Sequence, residues 1–252
     1  MRVKVISLNV WNGGEFFERI VDFVKKENPD IVALQEVYDG RPESLEKKHR
    51  TRTELKKSLN FLYESYAPAY LETLSFGQIP SGNLVLSKFP ITKSDSFFYD
   101  IPFRTRTYTG KVEEGLNTPR NLQYCLIEVK NTQINLFNTQ GIWGTDGLDN
   151  ERRLKMADLI VSKIKDKSNV ILCGDSNVTQ KTQTILKIEK YLKNVFKGEL
   201  NSTFNLKIKK GGAFAKAVVD ILMISPNIKV LEHSCPNTDI SDHLPLVATL
   251  EI

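Results

Sequence analysis

Cysteine is scarce in this chain. The three present, Cys125, Cys173 and Cys235, show no CxxC spacing, which excludes a disulfide framework and a zinc site built on such pairs. Cys125 and Cys173 fall inside apolar runs, and the set reads as reduced core residues of an intracellular protein. Long apolar stretches are also missing. No run approaches the about 18 residues of a membrane helix, so no transmembrane segment is expected. Met1-Arg2 leads straight into a strand without the hydrophobic stretch of a signal sequence. The expected location is the cytoplasm. No linker or repeat interrupts the sequence, so residues 1–252 are expected to form one domain, as a monomer. With 40% hydrophobic residues it is long enough to bury a full core. The formal net charge of +5 leans toward a polyanionic partner, although a modest lysine excess is ordinary on a soluble surface.

Histidine is as scarce as cysteine, with three in the chain. One stands in Ile240-Ser241-Asp242-His243-Leu244-Pro245-Leu246, where a loop enters an apolar strand. A carboxylate beside an imidazole there puts charge and a proton donor or acceptor at a sheet edge. For that pair alone, a surface turn is the competing account. Other strand ends share the pattern. Asn9 closes the run Val3 to Leu8, Glu36 ends Ile31-Val32-Ala33-Leu34-Gln35, and Asp175 and Asn177 follow Val170-Ile171-Leu172-Cys173-Gly174. Each is ordinary turn chemistry by itself, and their recurrence points to a site. Asp220 lies within Ala217 to Ile224, among residues that favour burial. A buried carboxylate needs a His, an Arg or a cation as partner.

Apolar patterning predicts strands near 3–8, 31–36, 83–87, 122–129, 134–138, 169–173, 218–224 and 245–251. Phe17, Ile20, Val21 and Val24 recur at helical spacing after the Asn12-Gly13-Gly14 break, giving an amphipathic helix over 15–27 that ends before Asn28-Pro29. Leu154, Ala157, Val161 and Ile164 mark a second, capped by Asp149 or Asn150. A third is expected over 182–193. Arg41 to Lys57, with seven basic and three acidic residues, reads as a plain surface helix. Strands with helices interspersed imply an α/β layered fold.

Ser7-Leu8-Asn9-Val10-Trp11, Leu34-Gln35-Glu36-Val37, Gly174-Asp175-Ser176-Asn177, Val219-Asp220-Ile221-Leu222 and Ser241-Asp242-His243-Leu244-Pro245 follow one another in a telling order. In order and approximate spacing the chain resembles the endonuclease/exonuclease/phosphatase superfamily over almost its whole length. The resemblance implies a DNase I-like four-layer α/β sandwich: two packed mixed β-sheets flanked by helices, with strand ends converging on one metal-dependent phosphoesterase site. It further implies Mg²⁺, with Mn²⁺ as the alternative cofactor. Glu36 would be the principal metal ligand, with Asn9 and Asp242 close to the metal directly or through water. Asp175 would orient or deprotonate the attacking water, Asn177 would hold water and phosphate, and His243, fixed by Asp220, would donate to a phosphoryl oxygen. The chemistry agrees, because phosphate ester hydrolysis needs a cation, a group that orients water and donors for the developing charge. Mg²⁺ takes few protein carboxylates and keeps several waters, which suits an isolated Glu36.

Two departures from the family stand out. Many relatives carry a second histidine where this chain has Gln140, whose amide can donate a hydrogen bond but cannot transfer a proton. Ser176 stands where relatives often place an aromatic, and its side chain is expected to alternate away from the site. Arg120 occupies a position where some relatives bind phosphate, against a plain surface charge. Asn83 resembles a residue near the substrate, against a simple turn role. Trp143 is a candidate for stacking on a base or lipid, with a core position preferred.

Substrate is less directly encoded. Val37-Tyr38-Asp39 after Glu36 lacks the lysine usual in apurinic-site enzymes. Phe97, Phe98, Tyr99, Phe103, Arg104, Arg106 and Tyr108 interleave aromatic and basic residues, as in a loop that stacks bases and contacts phosphates, with a loop that dips into a membrane interface or a hydrophobic strand with a basic edge as equal accounts. Lys207, Lys209, Lys210 and Lys216 crowd a loop bent at Gly211-Gly212 and expected at the site's rim. Nucleic acid is therefore favoured over phospholipid. The expected function is a Mg²⁺-dependent phosphodiesterase of nucleic acid, a nuclease, attenuated by Gln140. The alternatives are a phosphoesterase of phosphoinositides or sphingolipids and a catalytically silenced binding module.

Overall fold

The computed structural model describes residues 1–107, 109–210 and 213–252. Apolar side chains at every second position build its sheets, since successive residues of a strand face opposite sides. In β1 (Arg2–Asn9), Val3 and Val5 face the second sheet while Ile6 and Leu8 face helices. The first sheet continues with β2 (Ile31–Tyr38), β3 (Tyr63–Leu74), β4 (Gly77–Ser87), β6 (Arg104–Thr107), β12 (Lys229–Ser234) and β13 (Leu246–Glu251), in spatial order β12-β13-β1-β2-β4-β3-β6. The second holds β5 (Ile91–Phe98), β7 (Asn121–Val129), β8 (Thr132–Gln140), β9 (Val170–Asp175), β10 (Lys193–Asn194) and β11 (Asp220–Ile224), in order β10-β11-β9-β8-β7-β5. Both are mixed: β1 runs parallel to β2 and β8 to β9, whereas β9 and β11 are antiparallel.

Helices cover the outer faces, completing the expected sandwich. Helix α1 (Phe17–Glu27) buries Phe17, Ile20, Val21 and Val24 on the first sheet, with α2 (Thr51–Ser58) contributing Leu55. Each such side chain contributes about 1.5–3 kcal/mol when fully buried. The C-cap of α1, Asn28, takes the left-handed conformation, and its N–H closes on the Val24 carbonyl just before Pro29. On the second sheet lie α4 (Glu151–Ile164) and α5 (Gln183–Glu189), through Met156, Ala157, Ile160, Ile185 and Ile188. Asn150 caps α4, accepting from Arg153 N, while Asp149 accepts from the first amides of α5. The surface segment Arg41–Lys57 is helical only from Lys47 onward. The helix expected over 182–193 stops at Glu189, because Lys193 and Asn194 pair with β11.

The inner faces change character along their length. Val3, Val5, Ile31, Ala33, Val85, Leu136, Ile171 and Cys173 make a dry inter-sheet core. Further along the same strands the inward positions become Asn9, Gln35, Asn83, Asn138, Gln140 and Asp175, all buried. An apolar core thus turns polar at one end of the sandwich, where the site lies.

Candidate active site

Glu36 leaves the regular alternation of β2. The register slips between Leu34 and Val37, and Glu36 has φ +62°. A non-glycine residue there is costly, by about 1–3 kcal/mol, and such conformations persist where packing holds them. The bulge directs the carboxylate into a cavity of about 290 Å³. Three donors hold it: Asn9 Nδ2 at 3.0 Å and Gln140 Nε2 at 2.8 Å on Oε1, and Asn12 N at 3.0 Å on Oε2. Burial works against its ionisation, but the Arg120 charge, the Asn9 amide, the Asn12 N–H and His243 outweigh it and hold the pKa below the usual value. Trp11, Asn12 and Asn177, all on the cavity wall, are also left-handed.

Opposite lies a hydrogen-bonded set from the second sheet. Asp175 and Asp220 are register partners on β9 and β11. Asp175 accepts from Asn177 N at 2.9 Å and from Asn9 Nδ2 at 3.1 Å. Asp220 Oδ2 is 2.8 Å from His243 Nδ1, and its own N–H donates to Thr203 Oγ1. Burial disfavours the His243 cation, yet Asp220, Asp242 and Asp175 together raise its pKa to about 10. With Nδ1 committed to Asp220, the imidazolium offers Nε2–H to the cavity it lines. Burial also pushes Asp175 up to about 6, with His243 opposing the shift and Asp220 adding to it. Ser241 fastens this loop to β1, donating to the Asn9 carbonyl at 2.7 Å.

Arg120 faces the same cavity. It is 6% exposed, and its Nε and Nη1 are buried without a hydrogen-bond partner. Leaving such donors unpaired is costly, which marks a place for an anion. Arg106 stands nearby, paired with Glu72 and 4.5 Å above the Tyr70 ring.

The profile of the Endonuclease/Exonuclease/phosphatase family matches residues 6–243. The chain belongs to this family. Its members are metal-dependent phosphoesterases, and this chain is a hydrolase of phosphate esters. No curated protein matches it. Among solved structures, an endonuclease/exonuclease/phosphatase from Bacteroides vulgatus is similar at TM-score 0.75 and 20% identity, covering 100% of this chain and 99% of that one. A mannosyl-6-phosphatase from Bacteroides thetaiotaomicron is similar at TM-score 0.72 and 19% identity, over 99% and 100% of the two chains. The human Nocturnin catalytic domain with bound sulfate has TM-score 0.69 and 16% identity, over 99% and 94%. At these identities the likeness shows the fold, two packed mixed sheets flanked by helices.

The cation this family requires has a fitting donor set here. Glu36 and Asp242 line one cavity, and burial, with Glu36 and Asp220 adding to it, raises the Asp242 pKa against His243 and Lys209. Two buried carboxylates that repel each other are matched by a hard divalent ion, which prefers oxygen donors. Ligand atoms of Asp175, Asp220 and His243 also lie within 4.8 Å of one another. That trio is already satisfied by its own hydrogen bonds, so it makes the poorer cage.

Glu36, Asp175, Asn177, Arg120, Trp143, Asp242 and His243 all line the cavity, with Asn9 and Asp220 directly behind it. Three expectations need correction. Asn83 is 1% exposed and donates to Asn121 Oδ1 between the sheets, too deep to meet substrate. Gln140 is 2% exposed and off the cavity wall, its amide spent on Glu36 instead of a phosphoryl or leaving oxygen. Trp143 is half-buried on the wall, not in the core. Ser176 turns away and donates to the Val219 carbonyl. The aromatic-basic stretch is divided between β5 and β6 instead of forming one loop, while Tyr108 and the Gly211-Gly212 bend lie outside the described residues. Lys209 reaches the wall and pairs with Asp242 at 3.6 Å. Tyr70, Phe204 and Asn12 also line the cavity without having been singled out. Tyr70 sits in a strand broken by Pro68 and charged residues, and Phe204 in a loop; only Asn12, before Gly13-Gly14, carried a turn signal.

Proposed function

We propose that the chain is a Mg²⁺-dependent phosphodiesterase of nucleic acid that hydrolyses its substrate by in-line attack of water on phosphorus. The observation that carries this reading is Arg120, a buried guanidinium with unpartnered N–H groups, facing the cavity that Glu36, Asp175 and His243 line. Glu36 and Asp242 would hold the cation; Mn²⁺ has similar preferences and is expected to substitute. When bound, the ion supplies charge neutralisation at the phosphoryl oxygens.

The protein's own groups do the rest. Asp175, held by Asn177 and Asn9, is ionised near neutral pH and basic enough to take a proton from water as the water oxygen bonds to phosphorus and the opposite P–O bond breaks, the leaving oxygen taking its proton from solvent. Asn177, tied to the Gly141 carbonyl at 3.1 Å and lining the cavity, would hold water and phosphate. His243 Nε2–H and Arg120 donate to phosphoryl oxygens, and their charges oppose the growing negative charge there. Asn9 serves as a bridge: its amide nitrogen joins Glu36 to Asp175 while its oxygen accepts from Trp11 N at 3.0 Å. Gln140 supports the site from behind and does not silence it. Basic and aromatic residues on the wall, Arg106, Lys209, Trp143 and Tyr70, favour nucleic acid among phosphate esters.

The test is a panel of single- and double-stranded DNA, RNA, phosphoinositides and sphingomyelin, assayed with Mg²⁺, Mn²⁺ or EDTA. Divalent-dependent cleavage of a nucleic acid, lost in Glu36→Ala, is expected. Turnover confined to lipid substrates, or no turnover at all, overturns the reading.

A further inference from the structure

Trp143 is held in place with unusual care for a half-buried side chain. Its loop is clamped by Arg153, which is fully buried and donates from Nε to the Ile142 carbonyl at 3.1 Å and from Nη1 to the Leu148 carbonyl at 2.5 Å, on either side of Trp143. Gly144 lies so close that a β-carbon there would stand 2.6 Å from Arg153 Nη2. Upstream, Gly141 N donates to the Asp175 carbonyl at 2.7 Å, which ties the loop to the chemistry. Behind the ring lies Gly115 of the short helix α3 (Val112–Leu116), where a β-carbon would fall 2.8 Å from Trp143 Cζ3. Any side chain at position 115 would force the indole to shift.

Tyr70 and Arg106 line the same cavity. Arg106 lies 4.5 Å from the Tyr70 ring centroid, is paired with Glu72, and donates to Thr118 Oγ1 at 3.2 Å. Glu72 is 2% exposed, so the guanidinium is fixed from below by a buried partner. A ring carried on a clamped loop binds planar groups at little entropic cost. A cavity of about 290 Å³ is close to the lower limit of small-molecule sites, about 300 Å³, and matches the size of one nucleotide unit.

The geometry points to a base-binding slot: Trp143 takes the nucleobase of a single nucleotide unit whose phosphate rests on Arg120 and His243, with Tyr70 and Arg106 on the same cavity wall. This inference rests on the phosphodiesterase reading and narrows it to substrates that present an unpaired base. The slot recognises a planar ring joined to a phosphate, whatever the sugar beyond it.

The chain holds two tryptophans, both on the cavity wall, so Trp11→Phe, which keeps a ring at position 11, leaves Trp143 as the sole indole, and calorimetry on the unaltered protein checks that the substitution does not itself change nucleotide affinity. Adenosine 5′-monophosphate and ribose 5-phosphate are titrated against that variant in EDTA, with tryptophan fluorescence as readout. The nucleotide is expected to quench Trp143 and bind about tenfold or more tighter than the sugar phosphate. In the otherwise unaltered protein, calorimetry should show Trp143→Leu reducing nucleotide affinity to that of the sugar phosphate, with Trp143→Phe retaining most of it. Equal affinity for the two probes, or no nucleotide-specific quenching, overturns the slot. Hydrolysis of bis(p-nitrophenyl) phosphate by the unaltered protein is followed separately with Mg²⁺ present. If it persists and depends on Glu36 while the probes bind alike, the slot fails and the phosphodiesterase reading stands. If it is absent while the nucleotide still quenches, the catalytic reading fails instead.

Discussion

Gln140 donates to Glu36 Oε1 at 2.8 Å from a buried position, one of three donors that fix this carboxylate. An amide N–H is present at every pH, whereas an imidazole offers one according to tautomer and charge. The residue therefore acts through Glu36. Gln140→Leu is expected to weaken Mg²⁺ or Mn²⁺ binding by about 10–100-fold, the usual effect of removing a hydrogen bond that orients a metal ligand. Calorimetric titration of the cation measures this without turnover, and an affinity within twofold of wild type would show that Asn9 and Asn12 suffice. The Asp220–His243 pair gives a second prediction at this scale. The His243 pKa lies at about 10 in the folded protein against 6.5 as the ordinary value. Both states are protonated below pH 6.5, where the pair's contribution is complete; it fades as pH rises through about 10. In EDTA, the melting temperature should fall more steeply between pH 6.5 and 10 for wild type than for Asp220→Asn. Parallel curves would show that the pair contributes nothing.

Between the strands that carry these residues lies a layer of amides. Asn138 accepts from Gln35 Nε2 at 2.7 Å and donates to Gln123 Oε1 at 3.1 Å, while Gln123 donates to the Ser65 carbonyl and Asn83 to Asn121. This layer joins the two sheets beneath the cavity. Asn138→Leu removes the donor to Gln123 Oε1 and the acceptor of Gln35 Nε2 in a buried layer, at a cost of about 1–3 kcal/mol. Urea denaturation should show that loss, and Asn138→Leu with Gln123→Leu should recover part of it, because removing both partners spares the orphaned acceptor. Elements were legible where burial was two-sided or strictly alternating: the cores of β1, β2, β8 and β9 follow from their apolar runs, and α1 from its spacing. β5 and β12 were not, since Ile91–Phe98 and Lys229–Ser234 are edge strands whose side chains are mostly exposed or half-buried. β3 carries Pro68 and two glutamates, and β6 is four residues long. The Glu36 bulge left no mark, because a left-handed glutamate is fixed by the packing around it.

Across the whole molecule the site is an assembly of strand ends from distant parts of the sequence: Asn9, Glu36, Asp175, Asp220 and His243. Their identities were legible from the ordered motifs, and their convergence is a property of two sheets that turn polar at the same end. Tyr70 and Phe204 come from segments with no motif, so only the fold brings them in, whereas Arg106 stood out in the aromatic-basic stretch. Charge is distributed on the same scale. The net charge of +5 attracts any polyanion, but a specific substrate must feel the cations of the cavity in particular. Each phosphate neutralised on a single strand adds about 0.7 to the slope of log affinity against log salt. Lys209 lines the cavity, whereas Lys26 is exposed on α1 and absent from the wall. Measured by anisotropy on a labelled single-stranded oligonucleotide from 50 to 200 mM salt, in a Glu36→Gln background that prevents cleavage, Lys209→Ala is expected to lower the slope by about 0.7. Lys26→Ala is expected to leave it unchanged. Should both variants lower it equally, the attraction belongs to the overall charge of the chain and the basic wall of the cavity plays no special part in binding.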